Sequence, residues 1–585
     1  MKTYKLIYLF ALSLFIVGCN DSFMDRFPET SITEPVFFAS PQDLETYSNS
    51  FYQMIGGSFW DAGTDNVMYI ENADIYNIMM GVINEKNAKA WGDYWKDIFK
   101  VNFMIARSHQ AVGDKTEINH YIGIARFFRA YLYYNLVKRY SDVPWYNRDL
   151  KDTDTELLYK KQDPRTLVVD SIMADLKFAT EYIKEGTSQT RITKNAALAL
   201  QSRIALHEGT FRKYHPELGL NDANEYLELA ASAAFKVIDK KKFSLPDYIG
   251  SFNGDLKGNS DMILYSDYDQ ALRRNNTHSA FDWTTGLSRD LMEDYLAIVG
   301  GKAVPFQQLP GYNTKTLVEI FQDARDPRMA QTIMEPGYID PGKSAVYRLE
   351  ITRGGYPQIK FRATTADQLA WDKSYNDIPI FRYAEVLLNY AEARAELGKL
   401  TDEDMELTIK EIRERAGLPF TSLSDWLANI DPVQANRYSN VSSTQKGAVY
   451  EVRRERRIEL ACEGFRYDDL MRWGLGKLLE KAPEGSYIKQ LGYQDITGDG
   501  QPDIAIVKTQ ADADAIPQAD KDNYKLNVFI LENVTFELTE GDKGYIVQKT
   551  QVGKFTFIEP KYYYYPISQN DMTVNKNLEQ NKYWK

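Results

Sequence analysis

Cysteine is nearly absent. The chain has 2 in 585 residues, Cys19 and Cys462. With Cys19 assigned to the N-terminal signal described below, no intramolecular disulfide is left, and stability must come from a packed core, for which the chain is long enough. Histidine is almost as scarce: the 5 copies are scattered and show no metal-ligand spacing. A positive balance is also missing. The 70 Lys and Arg stand against 82 Asp and Glu, a formal charge of −12, which argues against a nucleic-acid partner. Beyond the N-terminus no apolar run approaches the length of a membrane span, so the body of the chain reads as soluble. What is abundant is tyrosine and tryptophan, 40 and 9 residues. Rings with an apolar face and a polar tip suit sugar or peptide surfaces, and they equally suit seams between packed helices.

The N-terminus pairs Lys2 and Lys5 with an apolar run from Leu6 to Val17, then Gly18 and Cys19. A positive start, a short apolar stretch and a small residue read as an export signal, not a structural helix. Cysteine directly after the small residue resembles the lipobox of bacterial lipoproteins, with Val17 and Ile16 bulkier than its commonest form. Residues 1–18 are then a signal peptide, Cys19 the lipid-bearing first residue, and 19–40 an extended tether. Loss of Lys2 and Lys5 takes the charge from −12 to −14. Acyl chains contribute about 0.8 kcal/mol per buried CH₂, so several on one residue make a stable anchor.

The remaining residues, 41–585, read as one mostly α-helical domain. Ser40-Pro41 marks a helix start. Apolar residues at helical spacing follow in "DYWKDIFKVNFMIARSHQ", in "YIGIARFFRAYLYYNLVKRY" and in three further segments up to residue 240. Residues 243–375 are rich in Gly, Pro, Asn and aromatics and read as a loop-rich, ligand-binding insertion with short strands at most. Helices return at "IPIFRYAEVLLNYAEARAELG", at "EDMELTIKEIRERAG" and at "KGAVYEVRRERRIELACEGFRYDDLMRWG", which holds Cys462. The last hundred residues read as hairpins, for example "KLNVFILEN", "GYIVQK" and "GKFTFIEP", with "YYYYP" alternating as a packed strand. Helical units of 35 to 45 residues suggest tetratricopeptide-like pairs.

Four blocks, "IARFFRAYLYYNLVKRYSDVPW", "RITKNAALALQSRIAL", "IPIFRYAEVLLNYAEARAELG" and "RRERRIELACEGFRYDDLMRWG", resemble the successive signatures of the SusD/RagB family, and the close "YYYYPISQNDMTVNKNLEQNKYW" and the opening "CNDSFMDRFPETSIT" resemble its two ends. The resemblance spans nearly the whole chain. It implies a SusD-like scaffold of four tetratricopeptide-like helix pairs with long irregular loops. It further implies a non-catalytic, cell-surface lipoprotein of the outer membrane. That protein captures oligo- or polysaccharide and delivers it to a SusC-like TonB-dependent transporter.

The charged residues of those blocks invite an acid–base reading: Arg126, Arg129, Arg382, Glu385, Glu392, Arg456, Glu459, Glu463, Arg466 and Asp469. They alternate in sign on helices that also carry apolar faces, so they are read as structural ion pairs. Glu451–Arg454 and Arg456–Glu459 stand at contact spacing. No cofactor is required on this reading. In "DITGDGQPD", Asp495, Thr497, Asp499 and Asp503 fall at ligand positions of a calcium loop, with Ile506 where the bidentate Glu belongs. The alternative is an Asp/Gly turn.

A sugar needs an aromatic platform with planar polar partners beside it. Three stretches supply that mixture: an early one with Trp60, Asp61, Asp65 and Asn66; a middle one with Tyr268, Arg273, Asn276 and Trp283; and "LAWDKSYND", with Trp371 and Tyr375. The resemblance points to the regions of the first two, since the SusD-like family builds its glycan site from an early loop and a middle one. Two other functions are the alternatives. A surface glycoside hydrolase needs two carboxylates paired across a cleft, which the spacing does not offer. A protein- or peptide-binding lid has less need of loop aromatics.

Overall fold

The computed structural model describes residues 37–68, 73–278, 286–347 and 351–585. Its scaffold is carried by α1 (Pro41–Ser48), α2 (Gly92–Arg107), α3 (Lys115–Tyr140), α4 (Arg165–Tyr182), α5 (Lys194–Tyr214), α6 (Ala223–Ile238), α7 (Tyr383–Glu396), α8 (Lys446–Glu459) and the short α9 (Arg466–Arg472). Local chemistry sets the starts. Ser40 and Asp43 close a capping box over Pro41 at the entry of α1. Asp114 caps α3 and Thr193 caps α5 through their side-chain oxygens. Neighbours stack in succession, α2 on α3, α3 on α4, and so on to α8. Interior members are therefore buried almost all round, as the long buried list of α5 shows. At Gly209 a Cβ would sit 2.9 Å from Leu227 Cγ, so glycine is what lets α5 and α6 approach this closely.

Helices α6 and α7 pack together although the loop-rich segment lies between them in sequence. That segment leaves and returns through one antiparallel ladder, β1 (Met262–Ser266) with β4 (Ile378–Arg382). Residues 378–382 are thus a strand where the periodicity predicted helix. Pro379 and two β-branched isoleucines favour extended backbone, and α7 begins only after Arg382. Inside the segment, β2 (Ala297–Val299) and β3 (Lys302–Val304) form a hairpin across Gly300 and Gly301, both at positive φ.

The C-terminal sheets correct part of the hairpin expectation. One has the order β5 (Tyr487–Ile488), β10 (Gly544–Gln548), β9 (Phe536–Leu538), and here β9–β10 is a true hairpin. The other orders β6 (Gly492–Gln494), β7 (Ile504–Val507), β8 (Asn527–Ile530), with β8 parallel to β7. A parallel neighbour needs a crossover, which two short helices, Gln510–Ala515 and Gln518–Tyr524, provide. "GKFTFIEP" forms no strand; Phe555 and Phe557 instead join the helical core. Lys561–Tyr563 is a 3₁₀ turn rather than a strand, yet Tyr562, Tyr563 and Tyr564 are packed as expected. The predicted helix over 446–474 breaks between α8 and α9. Cys462 sits in that break at φ 66°, followed by Gly464 at φ 79°. It is fully buried, in a turn and not in a helix.

Candidate functional site

Helix α8 is the first place to look for chemistry, because its charges are buried. Every charged residue from Glu451 to Glu459 is paired. Arg453 meets Glu396 at 2.8 Å, Arg456 meets Asp469 at 2.9 Å, and Arg457 meets Asp294 at 2.6 Å. Glu459 receives Arg382 at 2.8 Å, Arg328 at 2.9 Å and Arg415 at 2.5 Å. Arg382 also grips Glu463 at 2.7 Å. Arg203 holds Glu385 at 2.6 Å, and Arg129 holds Asp175 at 2.7 Å. Burial disfavours the ionised carboxyl of Glu392, but Arg472 and Arg456 overcome this and hold it at about 2. These groups are a charged core that locks helices together. The predicted pair Glu451–Arg454 forms at 2.7 Å. Arg456 and Glu459 point instead to different helices, Arg456 toward α7 and α9.

The early candidate stretch belongs to the same network. Asp65 takes Arg466 through two hydrogen bonds of 2.8 Å and Arg457 at 3.1 Å. Burial raises the cost of its charge, but Arg457 and Arg466 outweigh that and hold the carboxyl far below the usual range. Asn66 bridges Arg457 Nε (2.7 Å) to Asp61 Oδ2 (2.7 Å). The Asp61 carboxylate accepts the backbone N–H groups of Cys462 (2.8 Å) and Gly464 (2.9 Å), across the α8–α9 break. Asp61, Asp65 and Asn66 are therefore moved from ligand contacts to structural clamps: they are buried, and protein donors occupy them. Trp60 is half-buried, with its ring 5.2 Å from that of Phe59.

The middle and third stretches, far apart in sequence, meet. Asn275 N–H donates to Ser374 O (2.7 Å), Asn275 Nδ2 to Asn376 O (2.8 Å), Asp372 N–H to Asn276 Oδ1 (3.1 Å), and His278 N–H to the Ser374 hydroxyl (3.1 Å). The Tyr375 hydroxyl (2.9 Å) and Gln270 Nε2 (3.1 Å) both donate to Asp367 Oδ2. Asp269 shapes the first loop by accepting the N–H groups of Ala271 and Leu272, both at 2.7 Å. Arg273 lies over the Tyr268 ring at 4.3 Å. Trp371 is 66% exposed and Leu272 90%. Phe59, the neighbour of Trp60, packs on the same small apolar cluster as Tyr268, formed by Tyr248, Phe252, Phe361 and Ile378. The result is an exposed surface of aromatic rings, amides and the guanidiniums of Arg273 and Arg274 on loops fixed from beneath. Asp377 fixes it most directly: its carboxylate accepts Tyr268 N–H (2.7 Å) and Leu256 N–H (2.9 Å). Burial, reinforced by Asp267 and Asp255, raises its pKa to about 6 despite those two donors.

Sequence reasoning passed over Asp367, Gln270 and Asp377. Each stands inside or beside a quoted stretch, but nothing local distinguishes it until the two loops pair. Cys19 and Trp283 lie outside the described residues. In the Asp495 loop, Asp495 accepts Gly498 N–H (2.6 Å) and Gly500 N–H (2.9 Å), and Asp503 Oδ2 accepts the N–H groups of Ile496 (2.9 Å) and Thr497 (3.0 Å). Asp499 accepts Gln501 N–H at 2.8 Å. Ile506 is buried in β7. Among the described residues no group of three or more His, Cys, Asp or Glu is placed to hold a metal. Nor is any described helix long and apolar enough to cross a membrane.

A stacked-helix scaffold that presents an aromatic and amide surface, with its buried acids held by guanidiniums or, at Asp61 and Asp377, by backbone N–H groups, is the architecture of a binding protein. Comparison with known proteins agrees. The model of the SusD family matches residues 257–584, and a second, described as "Starch-binding associating with outer membrane", matches residues 23–206. The chain belongs to the SusD family, whose members are non-catalytic carbohydrate-binding proteins associated with the outer membrane. SusD-like protein P2 of Formosa agariphila is 25% identical over 510 residues, covering 81% of this chain and 92% of that one. A SusD-like carbohydrate binding protein from Bacteroides fragilis shares the fold with a TM-score of 0.67 at 19% identity, over 93% of this chain and 100% of the other. A laminarin binding SusD-like protein superposes with a TM-score of 0.55 at 18% identity, over 93% and 99% of the two chains.

Proposed function

We propose that this protein captures an oligo- or polysaccharide on the surface formed by residues 267–276 and 365–377 and delivers it to a SusC-like TonB-dependent transporter. A lipid on Cys19 holds it at the cell surface. The observation that carries the reading is the pairing of Asn275 with Ser374. It sets Tyr268, Arg273, Asn276, Trp371 and Tyr375 on two loops held edge to edge. A sugar ring stacks its C–H face on an exposed indole while amide and guanidinium groups take its hydroxyls. Such stacking needs no reacting group.

The test is isothermal titration against a panel of polysaccharides and released host glycans, with product analysis, for the wild type and Trp371→Ala. Trp371 is 66% exposed, so its loss should leave stability within about 0.5 kcal/mol. Losing one central aromatic contact should weaken binding by roughly 2 kcal/mol, or some thirtyfold. Unchanged affinity in Trp371→Ala would remove this surface as the site, and cleavage of any glycan would overturn the capture role.

A further inference from the structure

Helices α3 and α5 turn polar faces toward each other across a gap that α9 closes. On α3, Tyr131, Tyr134, Asn135 and Lys138 share one side of the helix by their spacing; on α5, Arg203 and His207 stand one turn apart. Between them lie two cavities, of about 190 and 200 Å³. Asn135, Lys138, His207 and Asp468 line both. The two are therefore chambers of one pocket, divided by the Lys138–Asp468 ion pair at 2.5 Å. Gly56 and Gly464, both exposed, stand at the rim of the first chamber.

The pocket shares a wall with the aromatic surface but not its residues. Gly57, Ser58, Pro379 and Ile380 line the first chamber, while their neighbours Phe59 and Ile378 pack with Tyr268. Glycine at 57 brings these two segments together, since a Cβ there would sit 2.0 Å from Pro379 O. No described residue of 267–276 or 365–377 lines either chamber.

The charges in the wall are paired internally. Lys138 meets Asp468, Arg203 holds Glu385, Arg382 holds Glu463 and Arg456 holds Asp469. Arg472 holds Glu392, behind the wall, at 2.7 Å. In the second chamber Arg139 is taken by Asp74 at 3.0 Å. The groups left over are uncharged. Among the described residues, neither the Tyr134 hydroxyl nor either ring nitrogen of His207 has a hydrogen-bond partner, although these side chains line the pocket at only 5% and 4% exposure. The half-buried Tyr131 hydroxyl and Asn135 amide have none either. Burial, reinforced by Arg165 and Lys138, holds the His207 imidazole well below its ordinary pKa, so it stays neutral, with one donor and one acceptor. Buried polar groups without partners are rare in folded proteins, and several converging on one cavity point to an occupant.

Phenol, amide and neutral imidazole have one property in common: each both donates and accepts. A hydroxyl does the same, so one polyol matches all four. A carboxylate or sulfate only accepts, and the cations in the wall are already paired; an ammonium only donates. Size narrows the ligand further. Each chamber is smaller than the about 300–1,000 Å³ of drug-sized sites, which leaves room for a single ring. The Tyr131 and Tyr134 rings offer the apolar face that the C–H side of a sugar takes. We propose that this pocket is a binding site for one uncharged sugar ring, separate from the aromatic surface. The ring's hydroxyls meet Tyr131, Tyr134, Asn135 and His207.

The experiment is an NMR titration of the full chain with labelled histidine rings. The chain has 5 histidines, so the spectrum is simple, and His207→Gln identifies the signal of His207. Glucose, galactose, mannose, xylose and galacturonate are added to roughly 50 mM, above the millimolar constant expected for so small a ligand. At least one uncharged sugar should move the His207 signal saturably, and galacturonate should bind more weakly. Tyr131→Phe/Tyr134→Phe deletes two hydroxyls and keeps both rings, so the fold stays intact; it should raise the dissociation constant by about tenfold or more. Trp371→Ala should leave the constant unchanged. The proposal is overturned if no uncharged sugar moves His207, which would leave the pocket to water. It is equally overturned if galacturonate binds as tightly as the best of them, if affinity survives loss of both hydroxyls, or if Trp371→Ala costs as much as that loss.

Discussion

Asp65→Ala separates a clamp from a ligand contact. In the folded chain the Asp65 carboxylate is shared by Arg466, at 2.8 Å through two nitrogens, and Arg457, at 3.1 Å. Both guanidiniums are 2% exposed. Without Asp65, Arg466 keeps the Tyr438 hydroxyl at 3.2 Å as its hydrogen-bond acceptor, and Arg457 keeps Asn66 and Asp294. Stranding a buried charge by removing its partner costs about 3–5 kcal/mol. An unfolding entropy of about 2.1 cal/mol/K per residue, over roughly 540 residues, gives ~1.1 kcal/mol/K. The midpoint of thermal unfolding should therefore fall by about 3–5 °C. Calorimetry reads the shift, and titration with whichever glycan the wild type binds reads the affinity. The reverse change completes the test: Asp65→Ala with Arg466→Met removes both charges and should recover much of the loss, because an apolar pair of similar volume replaces a buried ion pair at little net cost. A variant that keeps its melting temperature but loses glycan binding would refute the reasoning and return Asp65 to the ligand site.

Two further outcomes follow from the electrostatics. Asp377 has a folded pKa of about 6 against an ordinary value of 3.8. Between these values the folded chain holds a proton that the unfolded chain releases, so the contribution of Asp377 to stability falls as pH rises from 4 to 6. Urea titrations across that window should show the stability difference between wild type and Asp377→Asn shrinking or reversing with rising pH; a difference that grows would contradict the assignment. For the Asp495 loop we propose that it closes as an Asp/Gly turn through its own N–H groups, so about 1 mM calcium or excess chelator should move the melting midpoint by under about 1 °C. A rise of several degrees with calcium would restore the metal reading.

Helix periodicity was legible because it is local. The apolar spacing in α2 to α6 marks each helix, and Ser40, Asp114 and Thr193 cap their starts through bonds made within three residues. The break at Cys462–Gly464 was not legible. "RIELACEGFRYDDL" carries no proline, and the turn is held by Asp61, some 400 residues earlier in the chain. Likewise residues 378–382 follow a helical pattern but are drawn into a ladder by β1.

The charged blocks show the same division. Alternating sign on amphipathic helices was enough to predict ion pairs in place of catalytic groups, and buried guanidiniums bear this out. Which acid each arginine meets was decided by packing, as Arg456 turning to Asp469 instead of Glu459 shows. The candidate site divides most sharply. Composition alone placed Asp65 and Trp371 together as aromatic-and-amide loop residues. Folding buried one under two guanidiniums and left the other 66% exposed. The sequence by itself determined the helical scaffold, its starts and the richness of its loops, because spacing and capping act over a few residues. Only the tertiary structure decided which loops meet and which polar groups stay free, because burial and pairing depend on partners hundreds of residues away.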